Sequence, residues 1–200
     1  MTNLVTKKNI MKTHQFFIAL LFSVYTNAQV TLTVPYSSSK YDYDQNGIYY
    51  KDLENKMAHY IGTWEGTQNN KKYIFQFVKF TQHYETDYSK YYYIDILSIK
   101  FKVIDLNTNQ TLYDDTNITN YDDFKISFLG LISGGCWYLD KVNCNLEAKF
   151  NILKVPNNAN QIKYCHFRWG EWFIPGNCPY TSAEQVPMFL PKEDLILTRQ

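Results

Sequence analysis

The feature that most constrains this chain is a change of apolar period at Gly62. Beyond it, large apolar side chains recur at every second position in one run after another. Tyr73, Phe75 and Phe77 alternate with Ile74, Gln76 and Val78. Leu97, Ile99, Phe101 and Val103 alternate with Ser98, Lys100 and Lys102, and Leu146, Ala148, Phe150 and Ile152 form a third stripe. A strand turns successive side chains to opposite faces, so each run has one apolar face to bury. Asn69-Asn70, Asn107-Thr108-Asn109 and Pro156-Asn157-Asn158 supply turns between runs. Strands are predicted near 63–66, 73–78, 91–104, 111–113, 124–132, 136–139, 145–155, 162–169 and 195–199. Such short, regularly spaced strands predict an all-β domain: an antiparallel barrel of about eight strands, or a β-sandwich.

Ahead of Gly62 the spacing is helical. Leu53, Met57, Tyr60 and Ile61 share one face, which predicts a short helix over 51–61 ended by the glycine. Residues 29–50 are polar and rich in tyrosine, with Pro35 and a serine run at 37–39, and read as a loose lead-in. The domain proper is therefore expected over 51–200.

Residues 1–28 read as a secretory signal peptide. Lys12 supplies a basic start, Phe16–Phe22 an apolar stretch, and Thr26-Asn27-Ala28 a small-residue cleavage site. The spacing also fits a true start at Met11. The apolar stretch is shorter than the roughly 20 residues of a spanning helix. No later stretch is long and apolar enough to cross a membrane, so no span is expected after cleavage. The expected location is the periplasm or the exterior. Removing Lys7, Lys8 and Lys12 from 20 basic residues leaves 17 against 19 acidic ones, a net charge of −2. Interspersed, near-neutral charge offers no footprint for nucleic acid.

Four cysteines, Cys136, Cys144, Cys165 and Cys178, fall in the exported part, and an even number there suggests two disulfides. Three connectivities are possible. Cys136–Cys144 with Cys165–Cys178 is favoured because each bond would close a local loop. The spacing does not suit a zinc site, which uses close pairs. Asp42-x-Asp44-x-Asn46-Gly47 matches the front of a calcium loop, but Leu53 stands where the bidentate acid should be, and an Asn-Gly turn explains it better. His59, His83 and His166 show no metal spacing. Gly134-Gly135 reads as a turn or bulge. Asp114-Asp115 and Asp122-Asp123 could be paired acids but read as solvated loop ends. No cofactor and no catalytic set is indicated.

Ile61-Gly62-Thr63-Trp64, at the junction of the predicted helix and first strand, resembles the Gly-x-Trp opening of lipocalins and other calycin barrels. In that family the tryptophan closes one barrel end and a basic residue near the end of the last strand packs over it. Arg199, in Leu195-Ile196-Leu197-Thr198-Arg199, stands at the matching place. The resemblance implies a calycin-like barrel in which Gly62, Trp64 and Arg199 are structural. The layout also resembles a family of small exported proteins of Bacteroidetes-type bacteria, a domain of unknown function. Asn27-Ala28-Gln29, Tyr49-Tyr50-Lys51-Asp52, Ile61-Gly62-Thr63-Trp64 and Leu197-Thr198-Arg199-Gln200 carry that likeness. It implies export and a barrel, and it brings no activity.

Barrels of this size are either filled by side chains or hold one small ligand. Trp137, Trp169 and Trp172, with Tyr91-Tyr92-Tyr93, could line a ligand cavity or belong to an aromatic core. The leading expectation is a non-enzymatic binding module with an apolar or aromatic-lined cavity for a small apolar or aromatic ligand. The alternative is a structural or protein-interaction component of the cell envelope with a filled core.

Overall fold

The computed structural model describes residues 32–36, 45–87, 89–130, 133–170 and 178–200. The signal segment, Asp42 and Asp44 of the calcium-like half-loop, and Trp172 lie outside them. The described residues form eleven strands: β1 (Leu32–Pro35), β2 (Ile48–Lys51), β3 (Gly62–Gln68), β4 (Lys71–Asp87), β5 (Lys90–Asp105), β6 (Thr111–Asp114), β7 (Ile126–Phe128), β8 (Gly135–Asp140), β9 (Leu146–Val155), β10 (Asn158–Trp169) and β11 (Leu195–Arg199). From β3 the hydrogen-bonded neighbours run β4, β5, β7, β8, β9, β10 and β11, and β11 returns to β3. Every pairing in that circuit is antiparallel, so the fold is a closed eight-stranded antiparallel barrel and not a sandwich. Closure leaves no free edge in the circuit.

The period-two stripes face inward. Phe75, Phe77, Leu97, Ile99, Phe101, Val103, Ala148, Phe150 and Ile152 are all buried in one core cluster. Rings fill the barrel axis: Phe75 lies 5.8 Å from Phe101, and Phe150 stacks 4.6 Å from Tyr164. Polar tips are satisfied, as burial requires: the Tyr164 hydroxyl donates to Pro191 O at 2.7 Å and the Trp64 indole N–H to Tyr60 O at 2.7 Å. Met57 and Tyr60 plug one end, with Tyr60 5.0 Å from Phe128. Val186 and Leu190 bury against the same core, and Phe189 stacks 5.2 Å from Tyr113 at the other end.

The helix expected over 51–61 does not form. β2 keeps the chain extended to Lys51, and only a 3₁₀ turn follows at Lys56–His59. Asn55 takes a left-handed conformation (φ 51°), which breaks a continuous helix. Asp52 supplies the alternative: its carboxylate accepts Lys56 N–H at 2.8 Å and Met57 N–H at 2.9 Å. The residues 29–50 expected to be loose are also partly structured. β1 and β2 extend the sheet in parallel from the outer part of β5, burying Ile48 and Tyr50 with Ile94. Of the strand expected over 124–132, the described residues carry Ile126–Phe128, and 131–132 lie outside them.

A single strand, β5, takes three partners on one side: β2 at Tyr92–Ile94, β7 at Leu97–Ile99 and β6 at Lys102–Ile104. A bulge in β4 sets two residues, Thr81 and Gln82, against Asp95 alone. It aims Gln82 N–H at Asp95 Oδ1, 3.1 Å away. Gly134 sits at φ 64°, where a Cβ would come 2.1 Å from Ile152 O, so this turn into β8 requires glycine.

Candidate functional site

The segment between β6 and β7 crosses the outer face of the barrel as a strap. Its second half is anchored by aromatic packing on the outward face of β4, with Phe80 5.2 Å from Tyr121 and 5.4 Å from Phe124. Lys100 donates to Ile118 O at 3.0 Å and holds the first half. Between this strap and β8 lies a cleft of about 510 Å³. Tyr121 to Lys125 form one wall; Leu139 to Val142 form the other; Ser127 and Trp137, neighbours across β7 and β8, contribute to the lining between them. Glu85 closes one end.

Charge is distributed unevenly in the cleft. Asp140 is committed: Oδ2 accepts Lys125 Nζ at 2.8 Å and the Tyr138 hydroxyl at 3.2 Å, and Oδ1 accepts Val142 and Asn143 N–H. Glu85 accepts the Tyr121 hydroxyl at 3.2 Å and lies 3.6 Å from His83 Nε2. Burial, with the Glu85 charge, pushes the Tyr121 hydroxyl well above the usual tyrosine range, so it stays a donor. Asp122 and Asp123 are exposed, and no Lys or Arg pairs with either among the described residues. On the rim, Val142 is 94% exposed, an isolated apolar side chain beside a polar turn.

The three tryptophans singled out in the sequence do not form one surface. Trp137 points outward into the cleft. Its indole N–H is shielded from solvent without a partner. Trp169 packs against the main core, edge-on to Phe167 at 5.4 Å with Lys192 Nζ over its ring. Tyr91 and Tyr93 instead pack with Tyr84 on the end of the β4–β5 hairpin. Sequence reading missed Tyr121, Phe124 and Glu85 as companions of Trp137. They come from a strap and from a distant strand, and no spacing connects them. Of the paired acids, Asp122 and Asp123 are the solvated positions expected. Asp115 is not. It is buried, and it accepts Phe101 N–H at 2.5 Å and the Tyr113 hydroxyl at 3.0 Å.

Gly62, Trp64 and Arg199 meet at the plugged end. Trp64 and Arg199 are register partners on the first and last barrel strands, and the guanidinium carbon lies 4.2 Å from the indole centroid. The guanidinium also donates to Ile61 O at 2.8 Å and to His59 O. Gly62 has φ 119°, and a Cβ there would sit 3.3 Å from Arg199 Nη1. His59 is half-buried against Tyr60; burial, then the charges of Lys154 and Arg199, lower its pKa.

The disulfide framework differs from the expected pairing. One bond is present among the described residues, Cys144–Cys178, with Cα atoms 5.2 Å apart. Cys136 and Cys165 are free and buried. Cys136 pairs in register with inward-facing Phe150, whereas Cys165 pairs with Asn151 on the opposite face two strands away. Their geometry excludes a bond between them. Loop length favoured local pairs, but the packing of the β8–β9 turn against the segment after β10 brings Cys144 to Cys178 instead. The bond ties the turn after Val142, a cleft wall, to the segment leading into the barrel-end plug. Replacing both Cys144 and Cys178 by serine is expected to cost about 2–4 kcal/mol, since the closed loop is long. Urea unfolding would measure it, and an unchanged midpoint would contradict the assignment. Burial pushes the Cys136 and Cys165 thiols up. A thiol reagent should therefore leave the folded protein unlabelled and modify two cysteines once it is unfolded without reduction.

No helix among the described residues is long and apolar enough to cross a membrane. Comparison with known proteins brings no relative: no family model, no curated protein and no solved structure matches the chain.

Proposed function

We propose that this is an exported, non-enzymatic binding protein of lipocalin-like build whose ligand site is the outer cleft. The aromatic-lined cleft carries this reading. Its volume of about 510 Å³ falls within the range of small-molecule sites, about 300–1,000 Å³. Its lining sets Trp137, Tyr121, Phe124, Leu139 and Val142 among seven polar or charged side chains, a more polar make-up than most small-molecule sites have. Filled by rings, the barrel axis directs attention to the outer face. Export is supported by the signal-like segment 1–28 and by the Cys144–Cys178 bond, which suits an oxidising compartment. The lipocalin-like reading is supported by the Trp64–Arg199 stack joining first and last strands.

The test is native mass spectrometry of protein from an exporting host, set against its denatured mass. A discrete adduct is expected on the parent protein and not on Trp137→Ala. An adduct that survives Trp137→Ala would remove the cleft from the proposal. The denatured mass also reports cleavage after Ala28.

A second reading, an envelope protein that docks partners, is favoured by the projecting end of the β4–β5 hairpin. Tyr84, 53% exposed, lies 6.0 Å from Tyr91 and 5.8 Å from Tyr93. An adduct-free protein that loses partner capture on Tyr84→Ser would favour this reading.

A further inference from the structure

We propose that the cleft recognises an organic cation, a substituted ammonium group carrying alkyl or aryl substituents. The proposal rests on reading the cleft as the binding site, and deepens it. Three observations lead to it.

The first is the balance of charge. Four carboxylates, Glu85, Asp122, Asp123 and Asp140, line the cleft against two ammonium groups, Lys125 and Lys141. Lys125 and Asp140 cancel each other at 2.8 Å. What remains is Glu85, Asp122 and Asp123 against Lys141 alone. An anionic ligand would meet net repulsion, and a cation net attraction.

The second is the kind of surface between those charges. Trp137, Tyr121 and Phe124 line the same cleft. Aromatic faces carry a negative quadrupole and attract cations, with tryptophan the strongest. A bare metal ion would gain little here. It needs several converging oxygens, and no group of three metal-ligating side chains occurs among the described residues. Leu139 and exposed Val142 give the alkyl part of an organic cation an apolar surface, which a metal ion cannot use.

The third is preorganisation. Tyr121 is held by Phe80 and by His83, whose ring centroid is 3.8 Å away, and its hydroxyl holds Glu85 in place. Ring and carboxylate are set before a ligand arrives, so little ordering cost falls on binding.

Calorimetry with choline, benzyltrimethylammonium and choline's uncharged isostere 3,3-dimethylbutan-1-ol tests this on the oxidised protein. At least one ammonium probe should bind, with choline about tenfold tighter than its isostere if choline is that probe. Binding should weaken as salt rises. Trp137→Ala and the double variant Asp122→Asn/Asp123→Asn should each weaken it about tenfold. The double variant changes exposed side chains, so its melting temperature should match the parent's and any loss reads the site. Failure of both ammonium probes to bind would overturn the cation assignment. Equal binding of choline and isostere, abolished by Trp137→Ala, would overturn the cation while keeping the cleft. Probe binding unchanged by Trp137→Ala would overturn both.

Discussion

Asp95→Ala is expected to lower the unfolding free energy by about 3–5 kcal/mol, the usual cost of removing one partner from a buried ion pair. Asp95 is 1% exposed and gathers four partners from β2, the turn after it and β4. Its carboxylate accepts the Tyr49 hydroxyl at 2.6 Å from β2, Asp52 N–H at 3.1 Å and Gln82 N–H at the β4 bulge, and it lies 3.1 Å from Lys79 Nζ. Without it, two buried donors, the part-buried Gln82 N–H and an ammonium lose an acceptor together. Among the described residues Asp52, 3.6 Å from Lys79, is the one remaining carboxylate partner. Urea unfolding should show a lower midpoint with the slope unchanged. A loss below about 1 kcal/mol would mean that Asp52 alone carries the junction.

The same carboxylate sets part of the acid sensitivity. Burial alone would raise its pKa. The Tyr49 hydroxyl, the two N–H groups and Lys79 outweigh burial and hold it below the usual value. A depressed folded pKa means the stabilisation is complete above the unfolded value and is lost as pH falls through the folded one. Asp114 behaves alike, lowered to about 2 chiefly by the Thr116 hydroxyl and further by Lys102. Asp115 has the opposite sign: burial raises it, so its protonation relieves the folded state. Stability should therefore decline from about pH 4 towards about pH 2, and Asp95→Asn should flatten that decline.

Trp64→Ala is expected to cost about 3–5 kcal/mol, as large-to-small changes of fully buried aromatics do. Trp64 is 0% exposed, bonds Tyr60 O through its indole, and supports the Arg199 guanidinium. Its loss leaves a cavity and strips the ring from the link between the first and last barrel strands. Arg199→Lys separates the parts. The ammonium keeps the charge but not the fork that reaches both Ile61 O and His59 O. It should cost less than Trp64→Ala in the same unfolding experiment. A loss below about 1 kcal/mol for Trp64→Ala would show that the cavity collapses and that closure does not depend on the ring.

Inside and outside were legible in the chain because alternation is a local property. Phe75, Phe101 and Phe150 could be placed inward from their neighbours alone, and with them an all-β barrel of about eight strands. Gly62-Thr63-Trp64 and Arg199 were legible as well, since short motifs at the two ends of a barrel can be named without knowing its middle. The helix over 51–61 misled because apolar spacing ignores what a side chain can do to the backbone. The Asp52 carboxylate captured the N–H groups a helix would have used, and Asn55 turned the chain.

Partner choice belongs to tertiary structure. Alternation says which face of β5 is buried, but not that β2, β6 and β7 will share one side of it. The disulfide followed the same rule: Cys144 lies in the β8–β9 turn and Cys178 beyond β10, and only the packing of those two segments brings their Cα atoms to 5.2 Å. The cleft depended on it most. Trp137 was visible as an aromatic, but Tyr121 and Phe124 reach it only because the strap folds over Phe80. Glu85 reaches it only because β4 runs past the barrel wall. A period of two fixes the direction of each side chain, whereas a site needs side chains from separate segments to converge, and packing alone brings them together.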